Sequence, residues 1–173
     1  SPSREREGEA MSIAIRPAGA NEAAVFAALH GEHFTPAWDA QSFRELMEQD
    51  GALALLAVAD DEPIGFILGR VVVDEAEILT IGVSQSWQRK GVATLLVNQL
   101  ARYAIEKGAR RIFLEVATDN EAARRLYLSL DFHEVGRRPA YYERPGEARV
   151  DAIIMSKEGT LSTSGGRAAR GSV

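Results

Sequence analysis

Ser84-Gln85-Ser86-Trp87-Gln88-Arg89-Lys90-Gly91-Val92-Ala93-Thr94 joins an apolar strand to a strong helix through a glycine turn. An apolar segment at 77–83 feeds into it. Out of it runs a helical stripe of Val92, Leu95, Leu96, Leu100, Tyr103 and Ala104, closed by Gly108 as a C-terminal cap. A helix start leaves backbone N–H groups unpaired and carries partial positive charge, so it attracts anions. Gly91 and Ala93 have little or no side chain, which lets a diphosphate approach the backbone, and Arg89 and Lys90 add mobile positive charge. The Walker lysine-threonine pair and the dinucleotide glycine fingerprint are both absent. On these residues alone, a phosphate cradle and a plain helix start with glycine for steric reasons both stay open.

Working outward, residues 12–16 alternate as a strand. Asn21 caps a helix that carries Val25, Phe26 and Leu29, and a second helix follows Asp39 with Phe43, Leu46 and Met47 at helical spacing. Strands at 52–59 and 64–73 flank Asp60-Asp61-Glu62-Pro63, a hairpin link, and 77–83 continues the antiparallel run. Past Gly108, residues 111–117 form a strand of the buried kind. Thr118-Asp119-Asn120-Glu121 opens a helix as a capping box through Ala123, Leu126, Tyr127 and Leu130, and strands at 132–138 and 150–156 close the chain. The order β-α-α-β-β-β-α-β-α-β-β predicts an α/β fold, a mixed central β-sheet flanked by helices. The folded domain is expected over 12–156. Residues 1–11 are expected to be a disordered extension, with Met11 as a natural start, and 157–173 a disordered tail.

The chain has 173 residues, enough for one domain with a substantial core. It contains no cysteine, which excludes disulfides, thiolate metal sites and a cysteine nucleophile together. A net charge of −5 argues against a nucleic-acid surface, and Arg110-Arg111, Arg124-Arg125 and Arg137-Arg138 read as solvated pairs. No apolar run approaches the roughly 20 residues needed to cross a bilayer, so a cytoplasmic protein without a membrane partner is expected. His30 and His33 lie three apart with no third ligand beside them, and no metal is expected.

Gln88-x-x-Gly91-x-Ala93 resembles the Gln/Arg-x-x-Gly-x-Gly/Ala signature of the GNAT superfamily of acetyltransferases, and the element order is similar to that fold over the whole expected domain. The resemblance implies acetyl-coenzyme A as cosubstrate. Its diphosphate would lie on the backbone of Gln88, Arg89, Lys90, Gly91, Val92, Ala93 and Thr94. Its pantetheine arm would run between splayed strands 77–83 and 111–117 along Ile81 and Val83, with Asn120 touching it further on. Backbone N–H groups near Ile81 would polarise the thioester carbonyl if that strand is bulged.

The similarity extends below the superfamily. Phe34-Thr-Pro-Ala-Trp38, Asp74-Glu-Ala-Glu77, Leu114-Glu-Val116, Asn120-x-x-Ala-x-x-Leu-Tyr127, Tyr141-Tyr142 and Asp151-Ala-Ile-Ile-Met155 resemble the ribosomal-protein-alanine N-acetyltransferases. That family often has Phe-Pro-Trp uninterrupted where this chain has Phe34 to Trp38, and usually glycine in place of Ala93. The resemblance implies direct acetyl transfer, in a ternary complex, to the α-amine of a protein or peptide N-terminus, typically alanine on a small-subunit ribosomal protein.

Acyl transfer to an amine needs a base for the amine and an acid for the leaving thiolate. Glu115 is a carboxylate in a strand expected to be buried on both faces; it is either a general base, as the resemblance implies, or an edge or salt-bridged residue. Tyr127, two helical turns after Asn120, is either a core aromatic or, by the resemblance, the acid that protonates coenzyme A. Tyr141 and Tyr142, on an expected loop, would line the acceptor groove with Phe34 and Trp38, or else pack an ordinary hairpin. Two other functions stay open: a GNAT enzyme acting on a small amine, and an inactive acetyl-coenzyme A-binding module.

Overall fold

The computed structural model describes residues 12–144 and 146–159, with the backbone alone at 142–144 and 147–148. The expected extension at 1–11 and the tail from 160 onward lie outside the described residues. Among the described residues seven strands are hydrogen-bonded in the order β1-β2-β3-β4-β5-β7-β6. They are β1 (Ile13–Pro17), β2 (Ala52–Ala59), β3 (Glu62–Val72), β4 (Glu75–Val83), β5 (Arg111–Ala117), β6 (His133–Arg144) and β7 (Glu147–Glu158). The α-helices among the described residues are α1 (Ala23–Gly31), α2 (Ala40–Met47), α3 (Val92–Glu106) and α4 (Glu121–Ser129). The sheet is mixed, as expected: β4 pairs β5 in parallel, while β1–β2, β2–β3, β5–β7 and β6–β7 are antiparallel. Among the described residues no helix is long and apolar enough to cross a membrane.

The chain divides into two compact units. The first holds β1 to β3, α1, α2, the end of β4 and the start of α3. Its core is aromatic: Phe26 of α1, Phe43 of α2 and Phe66 of β3 are all fully buried, with ring centroids 5.5 to 6.0 Å apart in tilted and edge-on contact. Such geometry suits ring quadrupoles better than a face-to-face stack. Asp60 and Asp61 both adopt positive φ, 50° and 64°, which gives the β2–β3 hairpin the left-handed pair that a two-residue turn requires. The helix expected after Asp39 is α2, and Asp39 caps it, accepting the Ser42 N–H at 2.8 Å. Asn21 does not cap α1. It lies inside a 3₁₀ turn, Ala20–Glu22, and α1 starts after it at Ala23.

The second unit contains the end of α3, β5, α4 and the β6–β7 hairpin. Gly108, at φ +99°, ends α3 in a Schellman motif: Ala109 N–H reaches the Ala104 carbonyl at 2.9 Å and Gly108 N–H the Ile105 carbonyl at 3.0 Å. Ile112, Leu114 and Val116 form the buried face of β5, and Tyr127 of α4 packs edge-on against Phe132 at 5.5 Å. The capping box does not form in the expected register. Asn120 is the cap, and its side chain accepts the Ala123 N–H at 3.1 Å. An asparagine oxygen reaches the third helical N–H from the position immediately before the helix, which Thr118 does not occupy.

Candidate active site

The glycine turn belongs to the first unit. Gln88 is extended, Arg89 takes φ +63° and Gly91 φ +83°, so two left-handed residues bracket Lys90 before α3 begins. A β-carbon added at Gly91 meets nothing within 4 Å. Glycine is therefore used here for its conformation; crowding by the protein, the steric alternative, is excluded. The Gly91 carbonyl accepts the Leu95 N–H at 3.1 Å, so Val92, Ala93 and Thr94 are the first residues of the helix and their N–H groups have no acceptor within it. Gln88 braces the turn on the end of β4, its Nε2 donating to the Val83 carbonyl at 3.2 Å, and Lys90 Nζ sits 5.1 Å from the Trp87 ring centroid. The turn combines a helix N-terminus, the exposed cations Arg89 and Lys90, and open space at the β-carbon position of Gly91, a set that fits a diphosphate. Of the helical stripe expected behind it, Val92, Leu96, Leu100 and Ala104 are buried, whereas Leu95 is exposed.

β4 breaks phase just before this turn. Ala76, Ile78 and Thr80 are buried on alternate positions, and the next buried residue is Val83. Leu79 packs on the aromatic core, yet a β-carbon on Gly82 would come within 2.7 Å of the Phe66 ring in the same core. Residues three apart cannot share one face of a regular strand, so the alternation slips between Leu79 and Gly82, around Ile81. Sequence alternation carries no signal of such a slip.

Phe34 and Trp38 lie between α1 and α2, 40% and 38% exposed. Their rings stack on His30, with centroids at 4.1 and 4.9 Å. His30 itself is buried, and burial first, then the charge of His33, holds it below the usual histidine pKa. Sequence reasoning considered His30 only as a metal ligand. Its place one helical turn after the buried Phe26 was the signal that it faces the core.

In the second unit, Glu115 faces away from the buried side of β5 and keeps 18% side-chain exposure. Its Oε1 accepts a charge-assisted bond from Arg138 Nε at 3.1 Å, so the salt-bridged arrangement is the observed one. Arg138 also lies 5.3 Å from the Tyr141 ring centroid. Tyr141 and Tyr142 are not on a loop: both belong to β6, which runs on to Arg144. The reason is a bulge. Arg138 pairs with Ala152 and Tyr142 with Val150, Ala140 takes φ 53°, and its N–H is held by Asp151 Oδ1 at 2.7 Å. Arg137 sits 3.7 Å from the other Asp151 oxygen. Tyr141 is 47% exposed; the side chain of Tyr142 lies outside the described ones. Tyr127 is buried in ring contact with Phe132, so its ring is a core aromatic. Asn120 is exposed at the start of the same helix. β4 and β5 pair over Glu75–Glu77 and Arg111–Phe113. Among the described residues no three side chains of His, Cys, Asp or Glu gather as a metal site.

Residues 23–132 match the family model described as Acetyltransferase (GNAT) family. A relative from Haemophilus influenzae, named [Ribosomal protein bS18]-alanine N-acetyltransferase, is 34% identical over 117 residues, which cover 66% of this chain and 80% of the relative. The crystal structure of the ribosomal-protein-S18-alanine N-acetyltransferase from Escherichia coli superposes with a TM-score of 0.79 at 26% identity, covering 88% of this chain and 97% of that one. The Arabidopsis thaliana NAA60 structure in complex with acetyl-CoA shares the fold with a TM-score of 0.76 at 22% identity, covering 85% and 98%.

Proposed function

The chain belongs to the acetyltransferase (GNAT) family, and from that premise we propose that it acetylates the α-amine of a protein N-terminus, an N-terminal alanine of a small-subunit ribosomal protein, with acetyl-coenzyme A as donor. The observation that carries the donor half is the turn at Gly91, whose left-handed backbone leads into a helix start, a geometry that suits a diphosphate. The acceptor half is supported by the names of the H. influenzae relative and the E. coli structure.

When bound, acetyl-coenzyme A supplies an activated acetyl group as a thioester. The N–H groups of Gly91, Val92, Ala93 and Thr94 hold its diphosphate, Gln88 keeps their turn in shape, and Arg89 and Lys90 add charge to it. In the first unit, backbone at Ile81 and Val83, by the phase slip of β4, is proposed to bond the arm; in the second, the Asn120 amide is the proposed contact. Phe34 and Trp38 of the first unit are proposed acceptor-binding residues, and so, separately, are Tyr141 and Tyr142 of the second. Glu115 takes the proton that the attacking amine sheds, directly or through water, and Tyr127 returns one to the departing sulfur. A single carboxylate suffices for an α-amine. With pKa near 8, such an amine costs about 0.7 kcal/mol to deprotonate at pH 7.5, against about 4 kcal/mol for a lysine near 10.4.

A thiol-release assay tests the proposal against N-terminal alanine peptides, N-blocked lysine peptides and small amines such as polyamines. The alanine peptides are expected to turn over fastest. Preference for a small amine would replace the acceptor assignment, and release with none of them would leave a binding module.

A further inference from the structure

Phe34 and Trp38 are joined to one residue by backbone as well as by ring. The His30 carbonyl accepts the Phe34 N–H at 3.1 Å, and His30 Nδ1 accepts the Trp38 N–H at 3.2 Å. Both side chains then stack on the same imidazole, at interplanar angles of 15° and 23°. The imidazole is in turn fixed by core rings: Phe43 of α2 meets it edge-on at 5.4 Å and Phe66 of β3 lies 6.2 Å away. A half-exposed aromatic pair on a connection between helices is thus tied to the core by one buried imidazole that both rings share, while Trp38 alone also meets Phe43, at 5.5 Å. We propose that His30 is the positioning residue for the acceptor-binding rings Phe34 and Trp38, and that it holds them only as the neutral imidazole. The role rests on the reading that these two rings receive the acceptor peptide.

The chemistry decides which protonation state works. An Nδ1 that accepts from Trp38 carries no proton, so neutral His30 has its hydrogen on Nε2. A second proton must go to Nδ1, where it turns an acceptor into a donor facing another donor, and it places a charge inside a cage of rings. α2 and β3 turn Phe43 and Phe66 to His30. The connection at 32–39 brings the charged or titratable residues Glu32, His33 and Asp39. Glu32 accepts the Ser84 hydroxyl at 3.4 Å, Asp39 is engaged in capping α2, and His33 is the group whose charge bears on His30. No carboxylate bond to His30 offsets its protonation among the described residues.

The test follows hydrogen exchange of the Trp38 amide and the ¹⁵N shifts of His30 from pH 8 to 5, together with KM for an N-terminal alanine peptide and for acetyl-coenzyme A. His30→Asn is the companion variant, since it keeps an acceptor near the Nδ1 position and cannot titrate. In the native protein, Trp38 amide protection should fall as His30 protonates. Peptide KM should rise at least fivefold beyond the rise caused by the amine's own protonation, while KM for acetyl-coenzyme A holds. In His30→Asn the peptide KM should follow the amine alone. If the Trp38 amide stays protected after His30 protonates, the inference fails whatever the enzyme acetylates. If the amide is released and peptide KM does not follow, the acceptor reading of Phe34 and Trp38 fails and the role of His30 goes with it.

Discussion

Arg138 Nε lies 3.1 Å from Glu115 Oε1, tying an exposed guanidinium of β6 to the one carboxylate on β5. The bulge at Ala140, closed by Asp151, sets the strand just after that arginine. With its carboxylate aimed in this way, Glu115 is expected to act as the base. Glu115→Gln keeps the shape and removes the base, so kcat should fall by roughly 10²-fold. Raising the pH should restore part of the loss, because more of the amine is then neutral. Arg138→Ala leaves the base in place and loosens its aim, so steady-state kinetics should show a smaller loss, about tenfold.

Tyr127→Phe removes a hydroxyl and leaves the ring that packs on Phe132. Affinity for acetyl-coenzyme A, measured by calorimetry, should be unchanged while turnover falls. The leaving thiol has a pKa of about 8.5, so water partly substitutes as the acid and the loss should be smaller than for Glu115→Gln. Higher pH should not rescue it, since the missing step is proton donation.

At Gly91 the φ of +83° predicts a conformational penalty with no clash against the protein. Gly91→Ala should lower stability by about 1–2 kcal/mol in a denaturant titration, the cost of a left-handed residue with a β-carbon. Gly91→Val adds bulk where the diphosphate is proposed to rest, and should raise the acetyl-coenzyme A dissociation constant at least tenfold, about 1.4 kcal/mol, in a protein that still folds by circular dichroism.

Burial holds the His30 pKa below its unfolded value of 6.5, so in acid the unfolded chain binds the proton more readily than the folded one. The stabilisation from neutral His30 is complete above that value and is lost as the pH falls from 6.5 toward the folded pKa. The urea midpoint of the native protein should therefore drop over that window. His30→Asn should show a shallower drop.

The helices and most strands were legible because each buries one face, and burial writes a period into the chain: Phe43, Leu46 and Met47 mark α2, and Val92, Leu96 and Leu100 mark α3. Glycines at 91 and 108 were legible as punctuation, and the structure adds that both are there for positive φ. What escaped were features set by single hydrogen bonds between distant residues. Asp151 turns Pro139–Tyr141 from loop into bulged strand, Arg138 pairs Glu115, and His30 gathers Phe34 and Trp38. None of these leaves a period. The family resemblance places Asn120 against the cofactor; its oxygen is engaged in capping α4, so its amide nitrogen is the atom proposed to meet the pantetheine arm.

The enzyme is proposed to modify an N-terminal amine. One peptide decides it, beginning with free alanine and carrying an internal lysine, incubated with acetyl-coenzyme A and sequenced by fragmentation mass spectrometry. A single acetyl group is expected on the alanine nitrogen, with the lysine unmodified. An acetyl group on the lysine side chain, with the terminus left free, would contradict it.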